Sequence, residues 1–175
     1  MTYARPPGAK QFDFQEAREI EEVVGSHLPQ WKIGNLSSPD KLDWWVPGYM
    51  VEVKAKRQPL SRRWTRFRTD VPEKDLFVLD ELSVRRACGH WPAAFFVIHD
   101  RPQNRWFMSP VWELVCIPKV RVMRGGKGKW LMSLGDYRPL SDLQQLSELI
   151  PSLMVKTPWK DSGCLGPNEP EQVPA

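Results

Sequence analysis

Apolar residues recur at helical spacing over 13–28, where Ala17, Ile20, Val23, Val24 and Leu28 form one stripe. Asp13 stands where an N-cap belongs, and Pro29 ends the run. Trp31, Lys32, Ile33 and Gly34 then predict a short strand, and 35–40 a polar loop. From Leu42 the pattern changes to alternation. Pro47-Gly48 suits the centre of a type II turn, because proline presets the first φ and glycine supplies the positive second one. The flanking residues therefore pair as a hairpin, in the register Val46 to Tyr49, Trp45 to Met50, Trp44 to Val51 and Asp43 to Glu52. Its second strand runs out into Lys56, Arg57 and Gln58.

Farther along, Leu76, Phe77, Leu79, Leu82, Val84 and Ala87 predict a second helix over 73–90. The unbroken apolar run 93–98 predicts a buried central strand. A turn over 101–104, a short strand over 105–108 and a short helix over 111–116 follow. A second, basic hairpin is predicted from 120–124 and 129–132, turning through Gly125-Gly126-Lys127-Gly128. Ser141 is placed to cap a last helix to about 149, with Leu143, Leu146, Leu149 and Ile150 on its apolar side. Residues 1–12 read as a flexible basic arm and 157–175 as a disordered tail, leaving one domain over 13–156.

On the first hairpin, alternation puts Leu42, Trp44, Val46, Val51, Val53 and Ala55 on one face and Asp43, Trp45, Met50, Glu52 and Lys54 on the other. Directly opposed residues have Cβ atoms roughly 4.5–5.5 Å apart, where like charges weaken a sheet. Two facing carboxylates therefore call for compensation. A hard divalent cation supplies it: Mg²⁺, with Mn²⁺ as a substitute, is commonly held by one or two carboxylates plus water and phosphate oxygens. Lys54 would stand beside the metal-bound water and a scissile phosphate, where it lowers the water's pKa or stabilises developing charge.

The formal charge of +4 over 175 residues is modest, but it is clustered. Between 54 and 68 the chain carries Lys54, Lys56, Arg57, Arg62, Arg63, Arg66 and Arg68, no acidic residue, and the aromatics Trp64 and Phe67. Guanidinium groups suit bidentate phosphate contacts and aromatics stack on bases, so Lys56, Arg57, Arg62, Arg63, Arg66 and Arg68 are predicted to contact DNA. Other chemistries are poorly supported. Cys88, Cys116 and Cys164 form no Cys-x-x-Cys pair, and Cys88 with His90 alone does not make a zinc site. The glycines around Lys127 do not match the phosphate-loop spacing. His27, His90 and His99 lack the pairing that histidine-based hydrolysis requires. With no bilayer-length apolar segment and no secretory signal, a soluble cytoplasmic protein without membrane association is expected.

Asp-x8-Glu-x-Lys across a hairpin turn resembles the core of the PD-(D/E)XK nuclease superfamily, and Pro39-Asp40 even precedes it. The hairpin register assigns the family's aspartate to Asp43, with Asp40 as the fallback. Over residues 13–112 the order of elements also resembles archaeal-type Holliday-junction resolvases: a glutamate-bearing helix, the hairpin, a helix, a buried strand, then a Trp-containing strand ending in Ser109-Pro110. That resemblance implies an α/β fold with a restriction-endonuclease-like core, a mixed central β-sheet flanked by helices, with a C-terminal basic hairpin and helix. It implies a Mg²⁺-dependent deoxyribonuclease acting on DNA, branched DNA included, as a homodimer. It implies metal ligation by Asp43, Glu52, the Val53 carbonyl and a glutamate of the first helix, taken as Glu16 with Glu19 as the alternative, and a water- or phosphate-orienting role for Gln58. Two rival readings stand beside it, a nuclease-like fold that binds DNA without cutting and a basic assembly protein. The second leaves Asp43 opposite Glu52 unexplained.

Overall fold

The structure, a computed structural model, describes residues 9–30, 32–34, 42–57 and 62–155. Its first helix, α1 (Ala9–Ser26), begins ahead of the expected Asp13 cap, because Ala9, Lys10 and Gln11 are good helix formers with no glycine or proline among them. Ile20, Val24 and Leu28 are buried as the stripe predicts, but Val23 is exposed. Two residues of the expected first strand pair as β1 (Ile33–Gly34) with β2 (Trp44–Val46), and β2 with β3 (Tyr49–Lys56). The β2–β3 register is the expected one, Val46 to Tyr49, Trp45 to Met50 and Trp44 to Val51, and Gly48 takes φ +99° at the turn.

After the short helix α2 (Arg62–Thr65), the structure departs from the expected long helix. Leu76–Asp80 is strand β4, and only Glu81–Cys88 is helix α3. The apolar run Leu76-Phe77-Val78-Leu79 satisfies either period over so short a span. Its partner decides: β4 pairs antiparallel with β8 (Lys127–Ser133), from Leu76 opposite Ser133 to Asp80 opposite Lys129. Asp80 then caps α3 by accepting from the Leu82 N–H. The buried run is β5 (Ala94–Asp100), parallel to β3, followed by β6 (Arg105–Pro110), helix α4 (Val111–Leu114) and β7 (Lys119–Arg124). The β7–β8 turn is two residues, Gly125 and Gly126 at φ +56° and +73°, tighter than the expected four. After β9 (Arg138–Leu140), the last helix is capped by Asp142, not Ser141, in a short 3-10 turn, and continues as α5 (Leu146–Val155) past Pro151.

Six strands make a mixed central sheet in the order β1-β2-β3-β5-β6-β9, in which only β3 and β5 are parallel. The α/β class and the helix-flanked mixed sheet are as expected. An unforeseen second sheet, β4-β8-β7, stands beside it. One core cluster joins Ile20, Val24 and Leu28 of α1 and Leu146, Ile150 and Leu153 of α5 to Val51, Val53, Phe95 and Val97 on one face of the central sheet. A second joins the opposite face, Phe96, Ile98 and Phe107, to Val84 of α3, Val111 and Leu114 of α4, and Phe77, Leu79 and Met132 of the smaller sheet. Leu42 belongs to this second cluster, not to the Trp44 face, since the chain bends at Asp43 before β2 starts. A third, small cluster lies on the outer face of the smaller sheet, where Leu76, Leu131 and Val71 meet Trp64, Val120 and Val122.

Trp44 fixes α1 to the hairpin. Its Nε1 donates to the Glu21 carbonyl at 2.9 Å, and its ring lies so close to Gly25 of α1 and Gly34 of β1 that a methyl group at either would overlap the indole. An alanine in an exposed helix interior is favoured over glycine by about 1 kcal/mol, whereas overpacking a filled core costs about 1–3 kcal/mol. At Gly25 the obstruction is a rigid ring that is itself hydrogen-bonded, so the steric term wins. Gly25→Ala is expected to lower stability by about 1–2 kcal/mol. Urea unfolding checks this, and a variant as stable as the wild type or more so would show that the ring has room.

Candidate active site

The alternation of β3 divides its side chains between the two cores. Val51 and Val53 pair with Phe95 and Val97 of the first cluster, while Glu52 and Lys54 pair with Phe96 and Ile98 of the second. Glu52 is thereby 8% exposed, an ionisable group carried into a largely apolar layer by its place in the strand. Lys54, half-buried beside it, forms an ion pair with the Glu52 carboxylate.

Asp43 completes the group. It sits in the bend just before β2, and its Oδ2 accepts from the Val53 N–H at 2.6 Å. The β2–β3 ladder ends at Trp44 and Val51, so the Asp43 carboxylate takes the place of the next backbone acceptor. The expected Asp43–Glu52 strand pair does not form, because the ladder stops one pair short, but this bond still brings the Asp43 carboxylate to β3 within electrostatic reach of Glu52. The electrostatics follow from the placement. Burial and then the Glu52 carboxylate push Asp43 up to about 7, against Lys54 and the Val53 N–H, which pull it down. For Lys54, burial favours the neutral amine, but Glu52, Asp43 and Glu21 outweigh it and raise the ammonium's pKa, so it stays charged.

The helix glutamate that acts on this group is Glu21. Burial raises its carboxyl first, Lys54 opposes that and Glu52 adds to it; Glu21 in turn acts on both Asp43 and Lys54. The expected residue, Glu16, is engaged elsewhere, with Arg101 at 3.0 Å and Arg57 at 3.6 Å, and the alternative, Glu19, is exposed. The spacing that could have revealed Glu21 was in the sequence. It adjoins Ile20 and lies one turn before Gly25, the position in contact with Trp44, so Trp44 draws Glu21 toward the hairpin.

The basic run also divides. Lys56, expected on DNA, has a buried side chain that reaches the Lys74 carbonyl, the Glu73 carbonyl at 3.3 Å and Asp100 at 3.7 Å. Arg68, likewise expected on DNA, is buried and donates to Asp70, to the Pro118 carbonyl at 2.9 Å and to the Leu131 carbonyl at 3.1 Å. Both cations hold the fold together, because each lies next to main-chain acceptors that burial leaves without water. Arg66 is exposed, Arg57 is tied to Glu16, and Arg62 and Arg63 open α2. Gln58 and Asp40 lie outside the described residues.

Asp43 and Glu52 are a pair, with Glu21 acting through charge and not through a hydrogen bond. Among the described residues, no three His, Cys, Asp or Glu side chains are close enough together to enclose a metal ion. None of the described helices is long and apolar enough to cross a membrane. No family model matches the sequence, and no curated protein matches it. Among solved structures, D212, a nuclease from a fusselovirus, aligns with a TM-score of 0.44 and 9% identity, over 87% of this chain and 99% of that one. A likeness of that degree decides neither the chemistry nor the family of this chain, and the site residues have to carry the functional reading.

A carboxyl held near 7 in the folded chain, against an ordinary value of 3.8, binds a proton more tightly folded than unfolded. Its contribution is fully present below about 3.8 and is lost as pH rises through about 7. Asp43→Asn removes that titration and keeps an oxygen for the Val53 N–H. In EDTA, the difference in melting temperature between Asp43→Asn and wild type is expected to grow with pH from 4 to 8, reaching about a few degrees in favour of the variant. A wild type that melts higher than Asp43→Asn at pH 8 would show that Asp43 is not held against Glu52.

Proposed function

We propose that this protein is a divalent-metal-dependent deoxyribonuclease with a restriction-endonuclease-like core, hydrolysing phosphodiester bonds at Asp43, Glu52 and Lys54. The observation that carries the reading is the juxtaposition of two inward-facing carboxylates, one of them held near 7, with a lysine kept charged beside them. Simple stability does not account for it, since buried like charges cost free energy and an apolar residue in either place would cost less. A donor set of two carboxylates suits Mg²⁺ or Mn²⁺, which keep several waters and take the rest of their oxygens from phosphate. A further carboxylate, Glu21, adds negative charge nearby.

Each residue then has a task. Asp43 and Glu52 would hold the cation through their carboxylate oxygens, Asp43 anchored by the Val53 N–H and Glu52 by the parallel pairing of β3 with β5. Glu21, oriented by α1, would add its negative charge to the site and so favour the cation. Lys54 exchanges its ion pair with Glu52 for a non-bridging phosphate oxygen and stabilises the charge that develops there. The cation, when bound, acidifies water and neutralises charge at phosphorus. DNA is the substrate class suited to the exposed Arg66 and to Arg62 and Arg63 at the start of α2, and the resemblance to junction resolvases makes branched DNA one of the forms to test.

Labelled linear, flapped and four-way DNAs incubated with the protein are expected to be cut in Mg²⁺ and left intact in EDTA. Lys54→Ala and Glu52→Ala are expected to lower the cleavage rate by at least about a hundredfold while DNA still binds. Glu21→Gln should raise the metal concentration needed for half-maximal cleavage, whereas Glu16→Gln should leave it unchanged. Binding with no cut in Mg²⁺ or Mn²⁺ would instead support the rival reading, a DNA-binding protein on this fold. A Glu52→Ala variant as active as wild type would refute the assignment of the site.

A further inference from the structure

The smaller sheet carries a second place where like charges are forced together, with the opposite sign. Across the two-residue turn of the β7–β8 hairpin, Arg124 is directly paired with Lys127. Both are exposed, and neither makes an ion pair among the described residues. Directly opposed like charges weaken a hairpin. The acidic residue on the same strand face, Asp80, is already taken by Lys129 at 2.6 Å. Glu81, on the other side of the hairpin, is taken by Arg121 and Arg85 at 2.8 Å each.

What lies beside Arg124 sets the chemistry. Strand alternation puts Val120, Val122 and Arg124 on the outer face of β7, where the two valines pack with Trp64 of α2. Arg124 continues that row, its guanidinium 4.9 Å from the centre of the Trp64 ring. Two residues after Trp64, Arg66 stands 4.6 Å from the ring centre of Phe67, which is 40% exposed. Two guanidinium groups are therefore held on aromatic faces, with a lysine next to them that feels Asp80 only at longer range, since Asp80 is hydrogen-bonded to Lys129. Arg68 fastens the end of this segment to the smaller sheet by donating to the Leu131 and Pro118 carbonyls.

We propose that this surface, made of Arg66 and Phe67 after α2 with Arg124 and Lys127 at the β7–β8 tip, is a DNA-binding platform that engages the phosphodiester backbone. Guanidinium groups pre-oriented on aromatic rings lose little freedom on meeting phosphate, and a polyanion relieves the repulsion between Arg124 and Lys127. Exposed Phe67 offers a stacking edge to a base or sugar. The platform deepens the nuclease reading, on which it rests for the identity of the polyanion, by naming the surface that grips DNA away from the hydrolytic pair. Geometry allows both on one DNA. Lys54 and Arg66 are twelve residues apart in sequence, so at most about 42 Å separates their Cα atoms, little more than one turn of duplex at about 34 Å.

The test is fluorescence anisotropy with labelled duplex and single-stranded DNA, in EDTA so that nothing is cut, over a series of salt concentrations. Full-length wild type is compared with Lys127→Glu and with the double variant Arg66→Gln/Arg124→Gln, and each is melted in parallel. Lys127→Glu places an attractive charge opposite Arg124 and a like charge near Asp80, so it is expected to melt close to the wild-type temperature yet bind roughly tenfold more weakly. The double variant should flatten the salt dependence by about 0.9 per lost contact on duplex, or about 0.7 on single strands. Whichever DNA shows the larger loss is the form the platform holds. Wild-type binding with unchanged affinity and slope in both variants would overturn the platform, as would failure of wild type to bind either DNA. Variant-sensitive binding without cleavage in Mg²⁺ would keep the platform and remove the nuclease reading; cleavage with both variants binding like wild type would do the reverse.

Discussion

The wedge of Trp44 between α1 and β1 is the contact on which the geometry of the site depends. An indole cannot be accommodated by small adjustments in a filled core, so the two glycines that receive it fix both the distance of α1 from the sheet and its rotation. The bond from Nε1 to the Glu21 carbonyl sets the helix along its own axis as well. Without that register Glu21 would face solvent with its neighbours Glu19 and Glu22. The hairpin alone supplies Asp43 and Glu52; Trp44 brings the third carboxylate to them.

Two regions of the molecule work against their own stability, and they do so with opposite charge. Around β3, carboxylates are held together and buried; at the β7–β8 tip, an arginine faces a lysine in solvent. Each arrangement sits beside a tight turn that sets the register of its hairpin, Pro47-Gly48 in one case and Gly125-Gly126 in the other. Such locally unfavourable placements persist where the surrounding fold over-determines them, and they concentrate at functional surfaces. Elsewhere the chain pairs its charges with care, as at Asp100, where Lys56 and Arg105 meet a carboxylate with no solvent exposure.

The first hairpin was legible in the sequence because its information is local: a proline and a glycine fix the turn, and the turn fixes every pair that follows. The helix-flanked mixed sheet followed from the apolar run of β5, which no exposed element could carry. What could not be read depended on partners distant in sequence. Leu76 to Asp80 suited a helix until β8 supplied backbone partners for it. Lys56 and Arg68 looked like their basic neighbours, and only the carbonyls around them distinguish a cation that supports the fold from one that meets a ligand. Glu16 and Glu21 differ by little more than a turn of helix, and the choice between them was made by Trp44 on another element.

The order of strands in the smaller sheet has a consequence for how the chain is made. β4 leaves the ribosome early, yet its partner β8 follows only after the whole of β5, β6, α4 and β7. Until then Leu76, Phe77, Val78 and Leu79 form an apolar segment without its strand partner, the kind of edge that recruits other chains. Asp80 and Lys74 flank that run with charge, and the cap that Asp80 gives α3 lets a local helix form at once beside it. Nascent chains ending before β8 therefore carry an exposed template for aggregation, and the same hairpin that is proposed to meet DNA also closes that edge in the finished protein.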